Sequence, residues 1–321
     1  MAVNVPLSPK AQKRIERLKN RKGRKKPAKV PARLTRTSAF APKRRGLITD
    51  SAFRRLYVVP GHSIVHVVGR ELGSQHRDAL YAVLRLPTKE LMVEDAESAI
   101  GRSVLLEVRT TWRELLECLN LTAHANNVAN LFLIFEELMQ VVMTVIDSRT
   151  KSQELLLEEI RKRGVADAGF KMRHILHSVE APGMGLDDKV RVVFGHWMVD
   201  SLTNLKLVSL NADVQFALKS DYAKSFWPYI DSFTRHTFVD EEMLCSLVGR
   251  ELFGPVETSA TRRDFRTYCR HAFDDMVKAG GLLSWREEIR GKGREKTRRY
   301  HYHLAYPQQM ELGLDGSVAT S

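Results

Sequence analysis

Arginines on one predicted helix near the carboxyl end of the chain carry the most definite chemistry. Arg262, Arg266 and Arg270 recur every four residues, so on an α-helix they form one exposed cationic stripe, with Arg263 beside it. Guanidinium groups donate hydrogen bonds to phosphate oxygens and to the edges of bases. The spacing therefore predicts a helix that enters the major groove of double-stranded DNA.

A second basic stretch follows this helix, between residues 290 and 299, and contains two glycines. Apolar residues precede it over 282–289, and aromatic residues alternate with histidines after it over 300–304, which is the period of a strand. Helix, strand, basic turn and strand is the layout of a winged helix. The cations expected to hold the DNA backbone there are Lys292, Arg294, Lys296, Arg298 and Arg299.

The elements that position these cations can be predicted from caps and apolar spacing. Thr258 is a candidate cap, and Gly280 and Gly281 end the helix. Upstream, Asp240 is a candidate cap of a shorter supporting helix. The residues expected to form the buried face of the longer helix are Phe265, Tyr268, Cys269, Ala272, Phe273, Met276 and Val277.

Other patterns of reactive residues fail on their own chemistry. His301 and His303 have the spacing of the metal-binding pair in rolling-circle nickases, but only Tyr306 follows as a nucleophile, beside a proline. A phosphate loop ending at Thr297 has Glu295 where a glycine is required. The three cysteines show no metal or disulfide spacing and are typical of a reduced intracellular protein. We therefore expect no catalysis, no metal and no cofactor.

The net charge of +13 is concentrated at the amino end. Residues 1–50 hold 16 Lys/Arg and 2 Asp/Glu, whereas the other 271 residues hold 35 Lys/Arg and 36 Asp/Glu. We predict that residues 1–50 form a disordered basic tail that contacts phosphates without sequence preference. No apolar run is long enough to cross a bilayer, so we expect no membrane contact.

The predicted fold is α+β, with two tandem winged-helix domains after the tail. The first, 51–207, has a capping box at Thr111 and Glu114, a second helix through Val128 and Met139, and a strand over 141–146. The second, 208–306, is expected to be the main DNA-binding domain, and 307–321 a flexible tail. The exposed face of the long helix in the first domain carries asparagines in place of arginines, at Asn126, Asn127 and Asn130.

Two units of this kind resemble the iteron-binding plasmid replication initiators, nearest the broad-host-range TrfA type. The resemblance covers about residues 56–304 and depends on the order of the motifs. The motifs are Glu71-Leu72-Gly73, Arg77-Asp78, Leu80 to Leu84, Leu218-Lys219-Ser220, Tyr222-Ala223-Lys224 and the segment from Arg262 to Leu283. The long basic tail and the arginine-poor first helix depart from the family pattern.

The resemblance implies a bacterial, cytoplasmic protein that binds direct repeats at a plasmid origin. It also implies opening of nearby DNA, recruitment of the host helicase and host initiator, and a monomer–dimer equilibrium through the first domain. Gln309, Leu312 and Leu314 resemble the peptide that binds the bacterial sliding clamp. Two alternatives stay open: a winged-helix transcriptional regulator and a rolling-circle nicking enzyme.

Overall fold

The structure of the protein is a computed structural model. The residues it describes are 27–59, 63–94, 102–147, 152–164, 168–204, 207–233, 237–250, 258–293 and 296–305. No helix in these ranges is both long and apolar enough to span a bilayer.

Residues 28–41 belong to the folded core and not to a tail. They form β1 (Ala28–Pro31), α1 (Ala32–Thr35) and β2 (Phe40–Ala41), and Ala28, Val30 and Phe40 are fully buried. The predicted disordered tail over residues 1–50 is therefore wrong over 28–41, because apolar residues between the cations, such as Val30, Leu34 and Phe40, fill the interior. Residues 1–26 lie outside the described residues.

The first unit contains two four-stranded antiparallel sheets. Its elements are β3 (Phe53–Val59), β4 (Ser63–Gly69), β5 (Leu72–Gly73), α2 (Ser74–Leu84), β6 (Thr88–Glu94), β7 (Arg102–Thr111), α3 (Trp112–Cys118), α4 (Ala125–Met139), β8 (Val142–Asp147), α5 (Gln153–Arg163), β9 (Phe170–His174), β10 (Leu176–Glu180), β11 (Lys189–Phe194) and α6 (His196–Asn204). The strand orders are β3-β4-β8-β9 and β10-β11-β7-β6. The hydroxyl of Thr111 accepts the N–H of Glu114 at 3.2 Å, so α3 begins where the capping pattern predicts.

The strand predicted over residues 141–146 is present as β8, and it lies outside the sheet that contains β7. β8 pairs with β4 and β9, whereas β7 pairs with β11, and β11 pairs in turn with β10. The predicted strand is thus confirmed at Val142–Asp147, and its pairing with β4 and β9 was not predicted. A segment of two strands and a helix, β8 to β9, is inserted before β10 and β11.

The second unit is a helical layer against one three-stranded sheet. Its elements are β12 (Leu207–Leu210), α7 (Ala212–Ala217), α8 (Asp221–Ile230), β13 (Phe238–Asp240), α9 (Glu241–Leu247), α10 (Ser259–Lys278), β14 (Leu282–Arg290) and β15 (Thr297–Leu304). The sheet order β13-β15-β14 repeats the order β7-β11-β10 of the first unit. In both units two helices follow the first of these strands, and in the first unit the segment from β8 to β9 then precedes the other two strands.

The two units share one core. β1 pairs antiparallel with β12, from Ala28 opposite Leu210 to Pro31 opposite Leu207. At the junction Asp78 of α2 accepts hydrogen bonds from the ammonium of Lys224 and, at 2.9 Å, from the amide of Gln215. The guanidinium of Arg77 is fully buried and donates to the carbonyl oxygens of Lys224 (2.8 Å) and Phe40 (3.0 Å).

Candidate nucleic-acid interface

The long helix α10 is held by a cap, a buried stripe and a close approach at its end. The Thr258 hydroxyl accepts the N–H of Thr261 at 3.1 Å and the Thr261 hydroxyl accepts the N–H of Thr258 at 2.9 Å, so the first turn is capped reciprocally. Phe265, Cys269, Ala272, Phe273 and Met276 are buried, as predicted, and Val277 is partly buried. The prediction is wrong at Tyr268, which is 48% exposed and stacks on the Tyr222 ring. At Gly281 a Cβ atom would lie 2.6 Å from the Trp227 ring, so a larger residue there would push the helix end from α8.

Arg266 lies in an intramolecular ion pair and not on an open surface. Its guanidinium donates two hydrogen bonds to the Glu241 carboxylate, at 2.6 and 2.9 Å, and one to the carbonyl oxygen of Lys296 at 2.7 Å. Its side chain is 15% exposed and that of Glu241 is fully buried. The expectation of one exposed stripe through Arg262, Arg266 and Arg270 is therefore wrong at Arg266, which joins α10 to α9 and β15.

Three more of the predicted cations pair with carboxylates at the base of the hairpin formed by β14 and β15. Arg270 and Arg298 both reach Glu287 of β14, at 3.1 and 2.9 Å. Arg299 donates two hydrogen bonds to the Asp240 carboxylate, at 2.7 and 2.9 Å. Asp240 was predicted to cap α9, but its side chain accepts no backbone N–H of that helix. The Arg270–Glu287 pair joins α10 to the hairpin, and the side chain of Arg270 remains 43% exposed.

The solvent-exposed face of α10 begins at Arg263 and differs from the face that carries Arg262, Arg266 and Arg270. Arg263 is 78% exposed, and its nearest carboxylate is that of Asp264 at 3.7 Å. One and two turns further on, Thr267 is half-buried and His271 is exposed. The sequence pattern pointed to Arg263 but not to Thr267 and His271; their spacing of four from Arg263 was the available signal.

The tip of the hairpin is the other open cationic surface. Arg290 pairs in register with Thr297, and the turn between them is made with Gly291 and Gly293 at φ angles of 81° and 60°. The side chains of Arg290, Lys292 and Lys296 are exposed. Arg290 was not among the predicted DNA contacts, and Arg294 lies outside the described residues.

The equivalent surface of the first unit differs in charge. Its long helix α4 has no lysine or arginine, and the turn between β10 and β11 carries Asp187 and Asp188. The amide of Asn127 donates to Thr122, while Asn126 and Asn130 are exposed. Electrostatic attraction to phosphate at this surface is therefore much weaker than at α10 and the second hairpin.

The histidine pair considered for metal binding is engaged within the sheet. His301 Nε2 lies 2.6 Å from the Glu288 carboxylate, and the His301 hydrogen bond is the main cause that lowers the pKa of Glu288. His303 Nδ1 lies 3.1 Å from the Ser284 hydroxyl. Among the described residues no group of three or more potential ligands could hold a metal ion. Tyr306, Gln309, Leu312 and Leu314 lie outside those residues.

Comparison with known proteins identifies similar solved structures but no sequence relatives. No family model matches the chain, and no curated protein matches it. A crystal structure of domains 2 and 3 of RctB is similar at a TM-score of 0.48 and 8% identity, covering 85% of this chain and 96% of that one. A selenomethionine derivative of the same RctB domains gives a TM-score of 0.49 at 8% identity, with coverages of 86% and 99%.

A third similar structure is the Pi initiator protein in complex with iteron DNA. Its TM-score is 0.47 at 10% identity, and the alignment covers 73% of this chain and 92% of that one. Because the TM-scores and the identities are all low, the function of this chain has to be argued from its own geometry.

Proposed function

We propose that the chain binds specific sites on double-stranded DNA through its second unit, and that both units are winged helices. The observation that carries this proposal is the position of one open helix face beside a cationic hairpin. Helix α10 presents Arg263 and His271 to solvent, with the half-buried Thr267 between them, and the hairpin tip presents Lys292 and Lys296. A helix of this kind fits the major groove, while a basic hairpin lies along phosphates.

The ion pairs divide the cations into two roles. Arg263 and His271 contact base edges, because both residues are exposed on one face of α10. Arg290, Lys292 and Lys296 contact the backbone, with Arg294 as a further backbone contact. Arg262 and Arg270 lie at the edge of this surface, and Arg266, Arg298 and Arg299 support it through Glu241, Glu287 and Asp240.

The wider role that we propose is initiation of plasmid replication, by a relative of the TrfA type. The motif order supports this role, and a chain with two such units is suited to repeated sites. Opening of nearby DNA would draw on binding energy released as the duplex bends. Recruitment of the host helicase and initiator, and clamp binding through Gln309, Leu312 and Leu314, are further parts of the proposal.

A footprint on the plasmid that encodes the protein tests this role. We expect protection of several direct repeats, together with permanganate reactivity in an adjacent A·T-rich segment of supercoiled DNA. Arg263→Ala should weaken binding to a single repeat by about 1–3 kcal/mol and relax preference at one base pair. Protection of a lone inverted repeat without reactivity would favour a transcriptional regulator, and unchanged binding by Arg263→Ala would remove this face from the groove.

A further inference from the structure

One large apolar side chain is exposed on the hairpin formed by β14 and β15. Ile289, the second-to-last residue of β14, is 59% exposed. Its partner across the hairpin is Arg298, whose guanidinium pairs with Glu287. Because β14 is the outer strand in the order β13-β15-β14, Ile289 lies at the rim of the sheet.

The alternation of β14 places Ile289 on the side of the hairpin that faces α10. Side chains two residues apart on a strand point to the same side, so Trp285 and Glu287 precede Ile289 there. The Trp285 indole donates to Asp274 of α10 at 2.9 Å. Glu287 accepts from Arg270, one turn earlier on α10, at 3.1 Å. The row therefore runs towards the amino-terminal half of α10, and Ile289 continues it.

Exposed cations flank Ile289 on both strands of the hairpin. Arg290 is the next residue, Lys292 lies in the turn and Lys296 lies on the far side of the turn, and all three are exposed. An apolar protein surface that covered Ile289 would strip water from these cations, which is unfavourable. A partner with two rows of negative charge and a less polar floor fits better. The minor groove of DNA has this form, with phosphates on both sides of a groove about 6 Å wide.

The carboxylates of β14 beside this side chain are paired, so they do not oppose contact with DNA. Glu287, on the same side of the strand, pairs with Arg270 at 3.1 Å and with Arg298 at 2.9 Å. Two guanidinium groups against one carboxylate leave a positive balance there. Glu288 points to the other side of the strand, where it lies 2.6 Å from His301 Nε2.

The floor of the minor groove gives an isoleucine a preference between base pairs. A·T and T·A pairs present only recessed acceptor atoms, whereas G·C adds the 2-amino group of guanine. That group projects into the groove, and an aliphatic side chain above it leaves a hydrogen-bond donor without a partner. Isoleucine is also among the apolar residues that proteins insert between base steps from this groove.

We propose that Ile289 enters the minor groove next to the major-groove segment occupied by α10, and that it makes A·T pairs preferred there. Arg290, Lys292 and Lys296 then hold the phosphates on either side of that groove. The inference rests on the proposed function and adds a preference at base pairs beyond the reach of α10. The lysines of the hairpin supply affinity, and Ile289 supplies selection.

Binding of the full chain to duplexes that carry one site protected in the footprint tests this preference. The base pairs that flank the site are made A·T, G·C, inosine·C or 2,6-diaminopurine·T. Inosine·C lacks the 2-amino group and diaminopurine·T gains it, while their major-groove edges stay those of G·C and A·T. On one flank we expect wild type to bind A·T and inosine·C about fivefold or more tightly than G·C and diaminopurine·T.

Ile289→Thr is the informative variant, because it keeps the β-branched shape and removes the apolar contact. It should bind all four flanks with similar affinity, near that of wild type for G·C flanks. Ile48→Thr is the matched control: the same substitution at a position that is 42% exposed, before β3, should keep the wild-type preference. Both variants should melt like wild type, since neither side chain is buried.

The outcomes separate this inference from the proposed function. Equal binding of the four flanks by wild type, a preference that follows the major-groove edge, or an unchanged preference in Ile289→Thr would each overturn the inference and leave the proposed function in place. If wild type bound no duplex, the proposed function would fail and the inference with it. If Ile289→Thr changed the sedimentation of the free chain but not the flank preference, Ile289 would belong to a protein contact and the inference would fail.

Discussion

Arg266 illustrates how one buried carboxylate changes the role of a cation. Glu241 is fully buried and accepts two hydrogen bonds from Arg266 and one from the backbone N–H of Arg298, at 2.9 Å. An unpaired carboxylate at that place would be costly, because a buried charge without a partner loses its hydration. The first role of Arg266 is therefore to stabilise the fold that presents α10.

We expect Arg266→Ala to lower the free energy of unfolding by about 3 kcal/mol, since it leaves Glu241 buried and unpaired. Arg263→Ala, one turn away but exposed, should change it by no more than about 0.5 kcal/mol. Urea unfolding of the two variants gives the comparison. Equal stability of Arg266→Ala and wild type would contradict the ion pair, and would return Arg266 to the set of free DNA contacts.

His76 makes the stability of the first unit depend on pH. Burial is the main cause that lowers the pKa of His76 below its usual 6.5, although the hydrogen bond with Glu137 acts in the opposite direction. Nδ1 accepts the N–H of Gly73 at 2.9 Å, so Nε2 carries the hydrogen that faces Glu137 at 2.6 Å. The neutral imidazole thus caps the start of α2, and a second proton would remove that acceptor.

The unfolded chain binds a proton at His76 more readily than the folded chain does. The stabilisation from neutral His76 is therefore complete above pH 6.5 and is lost as the pH falls from there towards the lower folded pKa. His76→Asn keeps an acceptor for Gly73 without titrating, so its unfolding free energy should fall less than that of wild type between pH 7.5 and 5.5. Burial also lowers the pKa of His66, but His66 is present in both proteins, so the difference between the two pH profiles reports His76 alone. Equal pH dependence of the two proteins would contradict this role.

At the scale of the element, α10 and its hairpin were largely predictable from the sequence. A threonine cap, apolar residues three and four apart and two closing glycines mark the helix, and a period of two marks β15. Which arginines face solvent was not predictable, because Glu241 lies 25 positions before Arg266 in the sequence. Helical spacing shows which side chains share a face but not what lies opposite that face.

The open tip of the hairpin should contribute affinity without site preference. Replacing both Lys292 and Lys296 by alanine should lower the slope of log binding constant against log salt concentration by about 2, because each lysine neutralises one phosphate. Lys89→Ala, an exposed lysine on β6 of the first unit, is the control and should leave the slope unchanged. A slope equal to that of wild type in the double variant would remove the tip from the DNA backbone.

At the scale of the whole molecule, the amino-terminal segment shows where composition misleads. The excess of lysine and arginine over the first fifty residues suggests a tail, but this segment also contains apolar residues that are buried. They are Ala28, Val30, Leu34 and Phe40. The strand that β1 pairs with, β12, lies beyond the whole first unit, so no local signal could have identified it. The same holds for the pairing of β7 with β11, because β11 follows an inserted segment.

Two adjacent positions on β1 test whether this segment is part of the core. Val30→Asp places a carboxylate at a fully buried site opposite Val208, and should lower the melting temperature strongly or prevent folding. Lys29→Asp changes the charge by more but at an exposed site, and should melt close to wild type. If both variants melted like wild type, the segment would behave as a tail after all.

The pairing of β1 with β12 also has a consequence for synthesis on the ribosome. The amino end emerges first, but Ala28 finds its partner only after residue 210 has been made and has left the exit tunnel. Until then the apolar residues of β1 cannot be buried against β12. Closing so long a loop is slow compared with forming local helices. The core is therefore completed late in synthesis. A nascent chain that stalls before β12 would keep the apolar residues of β1 exposed to chaperones and proteases.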